Sequence, residues 1–245
     1  AGFVQALVLV PTRELALQVT DEMSSFKRGS TVVSAIYGGA SIGEQLRRLK
    51  KGVDIVVGTP GRILDHLNRG TLDLSKLRYL ILDEADQMLD LGFIDDVDRI
   101  ISYADENRRL LLFSATMPGR ISQLAEKYMR DVKHLKVESA TVTADLTDQI
   151  YFEVRESDKF DALTRIIDVE PDFYAIVFCR TKVMVDELVG RLLERGYAAD
   201  GLHGDVSQAQ REKILHKFKK KYTNIMVATD VAARGIDVDD VEAVF

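Results

Sequence analysis

The sequence predicts an α/β fold made of two parallel-sheet domains in tandem, and three observations carry that prediction. Short apolar runs alternate with longer amphipathic stretches, each apolar run ends in a small or polar loop that opens the next helix, and the pattern breaks once before restarting. Alternation of this kind specifies helices that cross over between parallel strands. The break falls over residues 137–148, a Ser-, Thr-, Ala- and Asp-containing stretch without a clear period, so the expected domains are 1–136 and 149–245 with 137–148 as linker. With 245 residues, each half can bury its own core.

In the first half, residues 6–10 read as an apolar strand closed by Pro11, followed by a helix from Thr12-Arg13-Glu14 to residue 27. A second strand over 31–37 stops at Gly38-Gly39, and Ser41 opens a helix to residue 51. A third strand, 54–57, leads through Gly58-Thr59-Pro60-Gly61 into a helix ending at 69. Residues 78–82 form a strand because the apolar run is too short for a core helix and stops at charges. A helix over 94–103, a strand over 110–113 and a helix over 118–129 with proline in its first turn complete the half. The second half repeats the grain: strands 149–154, 175–179, 198–202, 224–228 and 241–245, with helices 158–168, 182–195 and 208–219 between them.

Composition narrows the class. Hydrophobic residues at 46% and charged residues at 29% are ordinary for a globular protein, no apolar stretch approaches a membrane span, and no signal-peptide pattern opens the sequence. The single cysteine, Cys179, rules out an internal disulfide framework and suits a reducing compartment, so a cytoplasmic location is expected. It ends an apolar strand and reads as buried and inert. His66, His134, His203 and His216 show no metal-ligand spacing, and zinc is not indicated. A net charge of −6 argues against a broadly basic nucleic-acid coat but leaves room for a local phosphate track. The basic runs at 47–51 and 217–221 read as solvated helix faces.

Chemistry concentrates at the strand C-termini, where ligands bind in open parallel sheets. The strand 78–82 ends in Asp83-Glu84-Ala85-Asp86. One carboxylate there can hold Mg²⁺ beside nucleotide phosphates and another can orient the attacking water. The alternative is a solvated turn with Asp86 as a helix cap. Pro11-Thr12-Arg13 and Thr59-Pro60-Gly61-Arg62 each offer free helix-start amides and a guanidinium, and Gly38-Gly39 lets backbone approach a ligand closely. Singly, each is equally an ordinary cap or turn; in series along one sheet edge they trace a path for a sugar-phosphate backbone. Ser114-Ala115-Thr116 ends the next strand with two hydroxyls within reach of the acidic loop, or caps the helix after Pro118.

The ordered set PTRELALQ (11–18), GG, TPGR, DEAD, SAT, IVFCRT (176–181), HGD followed by Gln208-Ala209-Gln210-Arg211, and ATDVAARGID (228–237) resembles the DEAD-box family of ATP-dependent RNA helicases, with wording similar to bacterial members. The resemblance implies two RecA-like domains that close on ATP and single-stranded RNA. It implies that Asp83 binds Mg²⁺, that Glu84 positions or activates water, and that Asp86 couples to Ser114 and Thr116 across the domain cleft. RNA phosphates would be held by Thr12, Arg13, Gly39, Thr59, Gly61 and Arg62 on the first domain. On the second they would be held by Arg180, Gly204, Arg211 and Thr229. Arg234 and Gly235 would lie near the nucleotide and Asp237 would reach its ribose. The implied partner is RNA, bound through its backbone and largely independent of sequence, with no membrane partner.

The sequence also departs from that pattern. It contains no glycine-rich loop ending in GKT, no upstream glutamine motif and no HRIGRTGR-type arginine motif. Each RecA-like domain is therefore expected to be truncated at its outer chain end, with the first sheet missing a central strand and exposing apolar surface. Without P-loop amides and an arginine finger, the 245-residue chain alone is expected to be inactive as an ATPase. The alternative is a non-catalytic RNA-binding or regulatory helicase fragment. A DNA translocase is disfavoured by DEAD, PTREL and SAT, and a nucleophile-based hydrolase by the absence of a Ser or Cys with a paired His.

Overall fold

The computed structural model describes residues 3–26, 29–137, 147–170, 173–233, 236, 238 and 240–245. The chain divides into two units, Ala1–Val132 and Lys133–Phe245.

The first unit runs β1 (Ala6–Leu9), α1 (Arg13–Phe26), β2 (Val33–Ile36), α2 (Ile42–Lys51), β3 (Ile55–Gly58), α3 (Pro60–Asn68), β4 (Tyr79–Leu82), α4 (Ala85–Asp90), α5 (Ile94–Tyr103), β5 (Arg109–Leu112) and α6 (Gly119–Tyr128). The strands pair in parallel in the order β2-β3-β1-β4-β5. Successive side chains of a strand point to opposite faces, so Leu7 and Leu9 enter one core with helices α3, α5 and α6, while Val8 and Val10 pack with Ala16 and Val57 on the other. Burial on both faces explains why β1 is apolar throughout rather than alternating. The chain leaves β1 toward β2 on one side and returns to β4 on the other, which opens a crevice at the C-terminal ends of β1 and β4.

In the second unit a 3₁₀ turn, Glu156–Asp158, precedes α7 (Lys159–Val169), and β6 (Ala175–Cys179), α8 (Lys182–Glu194), β7 (Ala199–Leu202), α9 (Gln208–Lys219), β8 (Ile225–Thr229), α10 (Asp230–Ala233) and β9 (Ala243–Val244) follow. The parallel order is β7-β8-β6-β9. Val177, Val185, Ile225 and Val227 form one core; Leu202, Phe218, Met226 and Ala228 form the other. Tyr174 stacks on Phe218 at 4.4 Å and donates its hydroxyl to the Phe218 carbonyl at 2.8 Å, so a buried phenol is satisfied. Cys179 is buried, and burial pushes its thiol pKa up, which makes it a poor nucleophile.

Several sequence expectations change. Residues 149–154 are not a strand: Ile150, Tyr151 and Phe152 are exposed, and no described residue pairs with this segment. Without a ladder partner an extended run gains no inter-strand hydrogen bonds. The last strand is only Ala243–Val244, and within the expected linker residues 138–146 lie outside the described residues. The first sheet's apolar exposure includes Tyr79 on β4, 43% exposed, and at the β5 edge Leu111, 37%, and the following Phe113, 54%. Helices α4 and α10 are too short to show a hydrophobic period, which is why the sequence did not reveal them.

Candidate active site and nucleic-acid interface

The acidic turn follows β4 directly. The Asp83 amide donates to the Leu9 carbonyl at 2.9 Å and the Ala85 amide to the Phe113 carbonyl at 3.1 Å, so backbone on both neighbouring sides fixes the turn. Between them Glu84 takes a left-handed conformation, φ 52° and ψ 50°. A non-glycine residue held there is strained, and such strain concentrates at functional sites.

The three carboxylates of this turn differ in environment. Asp83 accepts from the Glu84 amide at 3.1 Å, yet burial raises its pKa. Glu84 is raised by burial and by the charges of Asp83 and Asp86, and its Oε2 is shielded from solvent without a hydrogen-bond partner. For Asp86, burial pulls upward but is outweighed. Thr116 donates its hydroxyl at 2.8 Å and its amide at 2.9 Å to Oδ2, and the Gln87 amide donates to Oδ1 at 3.1 Å. The net effect lowers the Asp86 pKa. The Asp86 amide donates to Ser114 Oγ at 3.1 Å. This coupling lies inside the first unit, between the acidic turn and the segment after β5, and not across a cleft between domains as the sequence reading had it.

Among the described residues no group of three or more His, Cys, Asp or Glu is arranged to hold a metal ion. Magnesium, however, commonly takes one or two protein carboxylates and completes its shell with water and phosphate. Asp83 together with the orphaned Glu84 oxygen fits that hard-oxygen set.

The three phosphate-binding candidates of the first unit converge. Thr12 Oγ1 caps α1 by accepting from the Leu15 amide at 3.2 Å. Arg13 extends over Gly39, where a Cβ would come within 2.5 Å of the guanidinium and where φ is +83°. Glycine at 39 is thus favoured by the backbone conformation, while the flexible end of Arg13 could shift to relieve the contact. Arg62 Nη1 donates to the Ala40 carbonyl at 3.2 Å and to Gln45 Oε1 at 3.1 Å, so this guanidinium braces the glycine turn. Thr59 is buried at the start of α3, with Pro60 in its first turn. Gly61 differs from Gly39: a Cβ there would meet nothing within 4 Å.

On the second unit, Arg180 is exposed beyond β6, and Thr181 Oγ1 caps α8 by accepting from the Met184 amide at 3.2 Å. Gly204 is exposed with open space where a side chain would stand. The turn around it is tied down by His203 Nε2 to Asp186 Oδ1 at 3.0 Å and by Lys182 to Asp205 at 2.5 Å. The lysine holds the Asp205 carboxyl below its usual range. Arg211 Nη2 donates to the Ala232 carbonyl, which links α9 to the segment after β8, and Thr229 ends β8. Arg234, Gly235 and Asp237 lie outside the described residues.

A residue set that motif reading missed sits behind the glycine turn. Gln45 and His66 are both buried and hydrogen-bonded to each other, Gln45 Oε1 to His66 Nε2 at 3.1 Å. The signal was available: Ile42, Gln45, Leu46 and Leu49 have the spacing of one inward helix face, and one of the four is polar.

An ordered run of strand-end loops with paired acids lies along one edge of the sheet, and comparison with known proteins gives the family. Residues 2–124 match the DEAD/DEAH box helicase family and residues 158–245 the helicase conserved C-terminal domain. The chain belongs to the DEAD/DEAH box helicase family. It is 49% identical over 243 residues to the DEAD-box ATP-dependent RNA helicase CshA of Bacillus subtilis, covering 99% of this chain and 49% of that protein. The Geobacillus kaustophilus CshA is 51% identical, with 99% and 52% covered. The chain therefore spans about half the length of the curated relatives it matches. Among solved structures, Saccharomyces cerevisiae Dbp5 L327V bound to RNA and ADP BeF3 is similar, with a TM-score of 0.84 and 32% identity over 99% of this chain and 62% of that one. A DEAD box protein from the hyperthermophile Methanococcus jannaschii is 49% identical, with a TM-score of 0.54 and coverage of 99% and 65%. The parallel-sheet units accordingly have RecA-like folds.

Proposed function

We propose that these residues form the core of an ATP-dependent RNA helicase, in which Mg²⁺-dependent ATP hydrolysis is stimulated by RNA and coupled to local unwinding of RNA duplexes. The observation that carries the reading is the acidic turn: two carboxylates of raised pKa, one on a strained residue with an orphaned oxygen, at the C-terminal end of β4. Asp83 would hold the magnesium ion, which when bound neutralises charge on the phosphates and orients them. The raised pKa of Glu84 makes its carboxylate a stronger base, suited to accept a proton from a positioned water. Asp86, ionised and held by Thr116 and Gln87, keeps the turn tied to the segment after β5.

On the RNA side, the helix-start amides at Thr12 and Thr59, the Gly38-Gly39 turn and the cation of Arg13 suit successive phosphates. Nothing in the fold requires glycine at 61 or 204, so the space in front of each is open to a backbone that must come close. Arg180, Arg211 and Thr229 would extend the same kind of contact on the second unit. Phosphate and sugar contacts predominate over base edges in such a track, so binding would depend little on sequence. The yeast relative's RNA and ADP BeF3 support RNA and adenine nucleotide as the ligand classes. Arg234, Gly235 and Asp237 are proposed as further nucleotide contacts on the resemblance of their motif. The 245-residue chain alone, which contains no GKT loop to cradle phosphates, is proposed to turn over ATP negligibly. No helix of the described residues is long and apolar enough to cross a membrane, and the lone buried cysteine suits the cytoplasm as the place of action.

The test is strand displacement from a short RNA duplex with a single-stranded overhang, using the natural protein. Displacement should require ATP and Mg²⁺ and should be lost in Glu84→Gln. Displacement that is indifferent to ATP, or intact in Glu84→Gln, would refute the reading.

A further inference from the structure

Helix α2 is exposed along most of its length, and its one buried residue is the amide Gln45, 4% exposed. A buried amide is costly unless its donors and acceptors are met. Gln45 meets this requirement by joining three parts of the first unit. Its Nε2 donates to the Tyr37 carbonyl at 2.9 Å; its Oε1 accepts from Arg62 Nη1 at 3.1 Å and from His66 Nε2 at 3.1 Å.

The arrangement dictates the imidazole's state. Gln45 Oε1 is an acceptor, so His66 carries its proton on Nε2. Its Nδ1 lies 2.8 Å from the Thr71 hydroxyl, which also reaches the His66 carbonyl at 3.0 Å, and the Thr71 amide donates to that carbonyl at 2.9 Å. Burial, then the Arg62 charge, lower the His66 pKa, in keeping with a neutral ring. The ring is therefore clamped at both nitrogens, and its rigidity is passed to Gln45.

The geometry at the glycine turn gives the network its purpose. Tyr37 and Ala40 bracket Gly38-Gly39, and the carbonyls of both are pinned, one by Gln45 and the other by Arg62. Arg62 lies in the first turn of α3, and His66 one turn further along the same helix. The distance between the glycine turn and the α3 N-terminus is thus set by side chains that lie behind both. Packing alone would be served as well by apolar residues, because replacing a buried polar network by hydrophobic groups is often neutral or stabilising. What polarity adds is a fixed register between two backbone segments.

We propose that Gln45 and His66 are positioning residues for RNA: without touching the strand, they hold the Gly38-Gly39 turn and the start of α3 at the separation that two neighbouring phosphates of single-stranded RNA require. The inference rests on the RNA-binding reading above. Preorganisation of this kind removes the cost of ordering the loops at the moment of binding.

The experiment measures single-stranded RNA affinity by fluorescence anisotropy, together with the KM for RNA, the KM for ATP, kcat and melting temperature, on the natural protein. The near-isosteric Gln45→Met, and His66→Leu, should weaken RNA binding about 10-fold and raise the KM for RNA in step, corresponding to one factor of ten in the equilibrium constant. In both variants kcat at saturating RNA and the KM for ATP should stay within about twofold of the parent, the pattern of lost uniform binding. His66→Gln, which keeps a donor toward Gln45, should recover most of the affinity. Thr71→Val, beyond the C-terminal end of α3, should weaken RNA binding by about 2- to 3-fold through the loosened ring, a small step on the same scale. Folded Gln45→Met with unchanged RNA affinity overturns the proposal, as does His66→Gln no better than His66→Leu. If Gln45→Met fails to fold, the His66 pair and Thr71→Val decide by the same criteria. A parent protein that binds no RNA overturns the functional reading itself, which separates the two failures.

Discussion

The acidic turn and the glycine turn lie at the same edge of the first sheet and are built on opposite plans. Behind the glycine turn every heteroatom of Gln45 and His66 that can bond does so, and the residue forced to positive φ is a glycine. At the acidic turn, positive φ falls on Glu84, its Oε2 has no partner, and burial with the charges of Asp83 and Asp86 opposes its ionisation. The first region is finished in the absence of ligand; the second is left with charge and strain that a cation, a phosphate or a water would relieve. Binding surfaces gain from being preorganised, and reactive groups gain from perturbed pKa values.

That contrast can be broken by mutation. The largest stability effect should come from Asp86→Ala, which strips the acceptor from Thr116 Nα, Thr116 Oγ1 and the Gln87 amide. Chemical denaturation should show a loss of about 1.5–3 kcal/mol, the net worth of hydrogen bonds to a charged acceptor. An unchanged midpoint would mean that this tie contributes nothing.

Next in size is a glycine pair. Gly39→Ala must adopt φ +83° and crowd Arg13, so a loss of about 1–2 kcal/mol is expected. Gly61→Ala, in the first turn of α3 with open space around it, should leave the melting temperature unchanged or slightly higher while weakening RNA binding. Equal destabilisation by the two substitutions would remove the distinction between a glycine the fold needs and one the ligand needs.

The smallest effect is in pH dependence, and its sign differs between the carboxylates. Glu84 has a raised folded-state pKa, so its contribution favours folding when protonated and declines as pH rises from below the unfolded value, about 4.3, through the raised one. Asp86 has a lowered folded-state pKa, so its contribution is present above about 3.9 and is lost as pH falls through the lowered value. Melting curves across the acid range should show Glu84→Gln gaining on the parent as pH rises. Asp86→Asn should lose ground over a lower interval, as pH rises through the lowered Asp86 value to about 3.9. A parallel pH response in both variants would contradict the opposed environments.

How much of this was visible in the sequence follows from the kind of signal each feature leaves. β1, β3 and β8 announce themselves because strands buried on both faces are continuously apolar and end at polar loops. The segment 149–154 has the same apolar look but no described neighbour to pair with, and pairing is a tertiary fact that composition does not carry. The motif residues of the first unit were legible because each stands at a strand end. Gln45 left only the signal of a polar residue on an inward helix face and His66 left none, because their roles rest on hydrogen bonds with Tyr37, Arg62 and Thr71 that only the folded geometry shows. Arg62 reads as a phosphate ligand, and the folded geometry adds a brace that no motif announces, with Nη1 donating to the Ala40 carbonyl and to Gln45.

The measurement that tests the account most directly is ATP hydrolysis by the natural protein as single-stranded RNA is titrated in, with the parent beside Glu84→Gln. Turnover that rises with RNA in the parent and falls by about 100-fold or more in Glu84→Gln, the usual range for losing a general base, is the predicted result. Turnover that ignores RNA, or that survives the loss of the Glu84 carboxylate, would contradict it.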